Sequence, residues 1–426
     1  MTLKPPNEGQ QQAINQLKDF LRDKDKGFFL LSGSAGTGKT FCLRHIIQDC
    51  PKLKLLFTAP TNKAVRVLRQ ALTTPDYTPD CRTIYSALGL RMEATGEIKE
   101  LTKNEDGDID LSTYDAVFVD EASMVNHALV GYIRGARQAD KVKFVFLGDP
   151  AQLPPVKEEE SLVWKLADES CHLIKVERFD NQILALATSL RGEVDKFLPK
   201  FERTHDNDGE EGVWAIPQAE WLLRIKELAQ MEKFSMPDSA KAITWRNSNV
   251  EALNKFVRQS IFGVEATTTW LQTDRISLLG PAKDLDNNTI GTTDDEGTVL
   301  RAFISEHPVW REFKVWSLQI MNDYNKRLTL YALHADSQAE FDKKCQDLAA
   351  RAKVNRRLWR DFWDFKDSFH TVRHGYCLTA HRSQGSTYNS VFVDWRDILQ
   401  NPNKREAFRC LYVACSRPRK QLFLNG

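Results

Sequence analysis

The octapeptide Gly33-Ser34-Ala35-Gly36-Thr37-Gly38-Lys39-Thr40, set directly behind the apolar run Phe28 to Leu31, constrains this chain more than any other feature. Its glycines let backbone N–H groups converge on one point, and a helix beginning at Lys39 turns its positive end toward that point. Such a nest fits phosphate oxygens. Lys39 is placed for the β- and γ-phosphates of ATP and Thr40 for Mg²⁺. A chance glycine-rich turn would lack the order of strand, loop and helix found here, so all eight residues are nucleotide-binding candidates.

Phe28 to Leu31, Leu53 to Thr58, Ala116 to Val119 and Phe144 to Leu147 read as buried parallel strands, separated by amphipathic segments such as Thr40 to Gln48 and Asn62 to Leu72. This alternation predicts a doubly wound α/β domain. In such sheets ligands bind at the carboxyl ends of the strands. Two further strand ends carry chemistry there. Val117-Phe118-Val119 runs into Asp120 and Glu121, a pair suited to holding Mg²⁺ (Asp120) and to orienting or deprotonating an attacking water (Glu121); the alternative is an acidic helix start. Phe144 to Leu147 runs into Gly148-Asp149-Pro150-Ala151-Gln152, where Gln152 can bond both a γ-phosphate and a neighbouring domain, the alternative being a proline-rich turn.

With 426 residues the chain is too long for one core. A hydrophobic content of 42% and a charged content of 27% suit a folded, soluble chain. The net charge of +1 confines any nucleic-acid surface to a local groove. Eight cysteines without a C-x-x-C predict reduced thiols, and neither a membrane span nor a signal-peptide core is evident, so a cytoplasmic protein is expected. Leu90 to Ser112 predicts a small hairpin insertion. A second α/β block begins near Leu173, includes Lys241 to Thr244, breaks off, and resumes at Tyr376 to Leu378 and Ser390 to Asp394. Residues 264 to 330 suit a small β-barrel. Residues 338 to 370 are charged and helical. In them Arg356, Arg357 and Arg360 interleave with Trp359 and Trp363, while Phe362, Phe365 and Phe369 have the spacing of a packing stripe. His370 and His374 have metal-ligand spacing but no evident third ligand.

The blocks GSAGTGKT, APTNKAVRVL (59–68), TIYSALGL (83–90), VDEASM, GDPAQLPPV, LTAHRSQGSTYNSVFVD (378–394) and LYVACSRPRK (411–420) stand in the order of the motifs of superfamily 1 helicases. The chain resembles this family over nearly its whole length. QLPPV, APTNKA and HRSQG are similar to the RecD-like branch (superfamily 1B), and the size, hairpin and LWRDFWDFKDSF segment to the Dda helicases of bacteriophages. The resemblance implies two RecA-like P-loop domains of parallel sheet. Residues 1–172 would form the first, with a strand-separating pin at about 90–112. Residues 173–263 and 371–426 would form the second, interrupted at 264–370 by an SH3-like β-barrel and helical extension.

It also implies arginine fingers, at Arg178 and Arg417, an adenine-reading Gln10 (adjacent to Gln11 and Gln12, so the register is open), and phosphate contact or coupling at Gln384 and Gly385. Pro60, Thr61, Asn62, Lys63, Thr83, His381 and Ser383 would contact DNA, with helix capping the alternative for Thr61 and Asn62; Trp359 would stack on a base or pack in a core. Met92, Ile98 or Leu101 would cap the duplex at the pin. The implied activity is a DNA helicase moving 5′ to 3′, a monomeric motor acting on single-stranded DNA and single-strand/duplex junctions, beside a single-strand binding protein or replication and recombination proteins. A translocase with little unwinding is the alternative. A P-loop kinase or switch would leave the second α/β block unexplained.

Overall fold

The computed structural model describes residues 4–94, 97–103, 110–175, 182–192, 201–205 and 210–426. The first part of the chain supplies β1 (Phe28–Gly33), β2 (Leu55–Ala59), β3 (Asp80–Thr83), a hairpin of β4 (Leu90–Ala94) and β5 (Lys99–Lys103), then β6 (Ala116–Val119), β7 (Lys143–Gly148) and β8 (Glu169–Leu173). Without the hairpin these form an all-parallel sheet in the order β3-β2-β6-β7-β1-β8. Helices Glu8–Arg22, Lys39–Asp49 and Asn62–Leu72 pack on one face, and His127–Asp140 on the other. Strands covered on both sides need apolar side chains on both sides, which is why FFLL and AVFV are unbroken runs.

β9 (Thr204–His205), β10 (Gly212–Ile216) and β11 (Ala240–Thr244) open a second sheet. An excursion follows: β12 (Arg275–Leu278), β13 (Ala282–Lys283), β14 (Thr289–Gly291), β15 (Glu296–Glu306), β16 (Lys314–Asn322), β17 (Arg327–Leu333), helices Gln338–Val354 and Trp359–Asp367, and β18 (Val372–His374). The chain then returns through β19 (Cys377–Thr379), β20 (Tyr388–Val393) and β21 (Pro418–Asn425). The second sheet, β19-β11-β20-β21-β10-β9, is parallel except for the β9–β10 edge. The molecule is therefore built on two RecA-like parallel cores carrying helical and small antiparallel insertions.

The excursion forms an antiparallel sheet, β17-β16-β15-β12-β18, beside the ribbon β13–β14. Its last strand comes from residues 372–374, well past the expected limit near 330. The two helices are thus the connection between the two outer strands of one sheet, β17 and β18. A strand of three residues with half-buried side chains carries no periodic signal and is not legible in the sequence. Among the described residues no helix is long and apolar enough to cross a membrane.

Candidate nucleotide cleft and nucleic-acid face

The carboxyl ends of β1, β6 and β7 lie at one edge of the first sheet and carry the phosphate loop, Asp120–Glu121 and Asp149–Gln152. Gly36 and Gly38 take φ of 81° and 90°, the left-handed conformation the loop needs to aim its N–H groups inward. Lys39 Nζ donates to the carbonyl oxygens of Gly33 (2.7 Å) and Ser34 (3.1 Å), folded over the mouth of its own loop. Gln10 is held by a reciprocal cap with Asn7 and donates to Thr37 O at 3.0 Å. A Cβ on Gly38 would stand 2.4 Å from Gln10 Nε2, so the loop and the first helix fit without slack.

Asp120 and Glu121 lie side by side in the cleft. Burial pushes the Asp120 carboxyl up. Burial, then the neighbouring Asp120, pushes Glu121 up to about 7, against the pull of Arg417 and Lys39. Glu121 also adopts φ 53°, a left-handed turn costly for a side-chain-bearing residue and typical of functional sites. Two crowded, desolvated carboxylates beside a phosphate nest suit a divalent cation, whose charge would let both ionise.

The second domain closes the cleft. Gln384 is buried, and its Nε2 donates to Gln152 Oε1 (3.1 Å), Ser123 Oγ (2.9 Å) and Leu153 O (3.4 Å). Arg417 is 5% exposed; its Nε donates to Val413 O (2.9 Å), and Nη1 and Nη2 to Ser386 O and Ser416 Oγ. Gly385 takes φ 73°, and a Cβ there would meet Ala64 Cβ at 3.1 Å. Arg178 lies outside the described residues.

Asp149, Tyr412 and Arg191 were not singled out from the sequence. Asp149 has no exposed surface and accepts from Tyr412 Oη, Arg191 Nε (3.1 Å) and Nη2 (3.0 Å), and Ala151 N (3.0 Å). The only sequence signal was that Asp149 and Tyr412 fall inside two of the ordered motif blocks.

The residues expected to meet DNA behave unequally. Pro60 is buried. Thr61 Oγ1 caps its helix by accepting from Ala64 N, and Thr83 Oγ1 accepts from Ser86 N. Asn62 donates to Thr292 Oγ1 at 2.7 Å. Lys63 is 7% exposed and spends its charge on Glu296 (2.9 Å) and the Tyr388 hydroxyl (2.7 Å), so here it is an interdomain tie rather than a free phosphate grip. Ser383 is fully buried with its hydroxyl turned back to Ala380 O. His381, more than a third exposed, faces Glu406 at 3.2 Å.

Trp359 is a correction: at 6% exposure it packs edge-on to Phe362 (5.3 Å between ring centroids) and presents no free face for a base. His370 spends both ring nitrogens on Tyr331 N and Lys283 O, and His374 Nε2 meets Thr269 O, so the pair does not converge on a metal. On the hairpin, Met92 and Ile98 are exposed (54% and 59%), while Leu101 packs against the first domain.

A phosphate nest and paired carboxylates on one RecA-like sheet, closed by a glutamine and an arginine from a second, define a two-domain P-loop NTPase. Residues 13–158 match the AAA domain model and residues 374–425 the UvrD-like helicase C-terminal domain. The ATP-dependent DNA helicase dda of Enterobacteria phage T4 is 22% identical over 99% of this chain and 100% of its own. In fold the chain is similar to Pif1 helicase from Candida albicans (TM-score 0.51, 16% identity, 99% of this chain and 95% of that one). It is likewise similar to Pif1 helicase from Bacteroides in complex with ADP-AlF3 and ssDNA (TM-score 0.52, 16% identity, 100% and 93%). The chain is thus similar in sequence to a Dda helicase and in fold to the Pif1 helicases.

Proposed function

We propose that this protein is an ATP-driven DNA helicase that tracks 5′ to 3′ on single-stranded DNA and opens duplexes at junctions. The observation that carries this reading is the composite cleft: Lys39, Asp120 and Glu121 come from the first sheet and Gln384 and Arg417 from the second, so closing on ATP moves one domain against the other. In this reading Gly33–Thr40 cradle the phosphates, Thr40 and Asp120 hold Mg²⁺, Gln10 contacts the adenine, Glu121 activates water, Gln152 and Gln384 transmit the γ-phosphate's presence, and Arg417, with Arg178, neutralises transition-state charge. Mg²⁺ would supply charge neutralisation at the β- and γ-oxygens. Residues 1–172 form the first motor domain. Residues 173–263 and 375–426 form the second, and 264–374, carried past the expected limit of 370 by β18, an inserted domain whose antiparallel sheet and ribbon are read as an SH3-like barrel.

The exposed Met92 and Ile98 favour strand separation over translocation alone, because an apolar side chain can cover the face of the last base pair. A duplex with a 5′ single-stranded tail is expected to be unwound and one with only a 3′ tail is not. Unwinding from the 3′ tail would overturn the direction, and DNA-stimulated ATP turnover with neither duplex opened would return the chain to a translocase.

A further inference from the structure

Tyr412 lies in the helix Lys404–Cys415 of the second domain and is 2% exposed. Burial, then the adjacent Asp149, pushes its phenol far above the ordinary range, so it stays a hydroxyl. That hydroxyl donates its single proton to Asp149 Oδ2 and accepts the N–H of Ala35 at 3.3 Å. Ala35 is the third residue of the phosphate loop. The hydroxyl is thus an oxygen from the second domain occupying an amide of the nest that receives a nucleotide's oxygens.

The helix Gln182–Gly192 reinforces the contact. Its Arg191 holds the other oxygen of Asp149, and its Leu184 lies against the loop, where a Cβ on Gly36 would meet Leu184 Cδ2 at 2.5 Å. The loop, the end of β7 and two helices of the far side therefore meet around one buried carboxylate.

We infer that Tyr412 is a positioning residue that reports occupancy of the phosphate loop to the second domain, its hydroxyl standing in for a phosphate oxygen on Ala35 N–H while the site is empty. This rests on the nucleotide-cleft reading above. A bound phosphate competes for that N–H. Its arrival frees the Tyr412 hydroxyl from the loop but leaves it on Asp149, so one of the two bonds this oxygen makes to the first domain is given up when nucleotide binds. Nucleotide affinity and domain arrangement are then linked through one oxygen atom.

Removing that oxygen removes the competitor. Tyr412→Phe is expected to bind a fluorescent ADP more tightly than the wild type, by roughly 2- to 10-fold, the range of one net hydrogen bond. In the wild type, saturating single-stranded DNA is expected to shift ADP affinity by changing the domain arrangement, and in Tyr412→Phe this shift should shrink toward none. A purely structural tyrosine would move neither in this way: its loss would lower the melting temperature and weaken ADP binding together. ADP affinity equal to or weaker than the wild type's, or an undiminished DNA-induced shift, would overturn the inference. The ADP titration needs no DNA, so absence of nucleotide binding by the wild-type protein would instead count against the cleft reading itself.

Discussion

Glu121 combines two unfavourable conditions: a left-handed backbone and a carboxyl that burial and Asp120 push up to about 7. A raised pKa keeps the group protonated and unable to accept a proton below neutrality, and only its ionised form can activate water. Single-turnover ATP hydrolysis with Mg²⁺ is therefore expected to fall as the pH is lowered and Glu121 takes up a proton, with the inflection below 7 because the bound cation favours the ionised form, while Glu121→Gln binds ATP but shows neither the pH dependence nor the rate. Arg417→Ala should lower DNA-stimulated kcat by about 10³-fold with the fold intact, and a near wild-type rate would remove it from the transition state. The phosphate loop and the Asp120–Glu121 pair were legible in the sequence because their chemistry sits in contiguous residues. The Tyr412–Asp149 contact was not, since its partners lie 263 residues apart and neither is unusual alone.

At the scale of elements, sequence reading worked where burial imposes a continuous pattern. The helix Asn62–Leu72 was placed at its observed limits, and the central strands follow their apolar runs. It failed where a short element takes its place from a partner, as with the edge strand β3 and with β18. The helix Trp359–Asp367 shows a third kind of failure. Cationic and aromatic residues interleave there, a pattern shared by base-stacking surfaces and by helices that bury rings between solvated charges. Folding resolves it toward packing: Trp359 and Phe362 cluster with Ala352, and Phe365 joins Phe313 and Phe369 on the other side. Trp359→Ala should accordingly cost about 3 to 5 kcal/mol in unfolding free energy, visible in a denaturant titration. Its affinity for single-stranded DNA, measured by anisotropy well below the melting temperature, should be unchanged.

At the scale of the whole molecule, the two cores are joined through Glu296, at the start of β15. Its carboxylate accepts from Lys63 (2.9 Å) of the first domain, and from Lys241 (2.9 Å) and Arg275 (3.1 Å) on the other side. Burial alone would push Glu296 up, but Lys241, Lys63 and Arg275 outweigh it and hold the group well below the carboxylate range. A depressed folded pKa gives stability that is present above the unfolded value and lost only as the pH falls through the folded one. The tie thus persists across the range in which Glu121 titrates, and the two effects separate on a pH axis.

Glu296→Gln leaves Lys63 and Lys241 buried beside a neutral amide, while Arg275 keeps its pairing with Asp323 (2.8 and 2.9 Å), and the uncompensated lysines cost about 3 to 5 kcal/mol. Lys63 is the one of the three that can leave with a separate domain, so the strain is relieved by opening the cleft. Dyes on the two RecA-like domains should then report a larger separation in Glu296→Gln than in the wild type, together with a raised KM for ATP, because Gln384 and Arg417 depart with the second domain. Unchanged separation and KM at pH 7 would show that the cores are held together without this carboxylate.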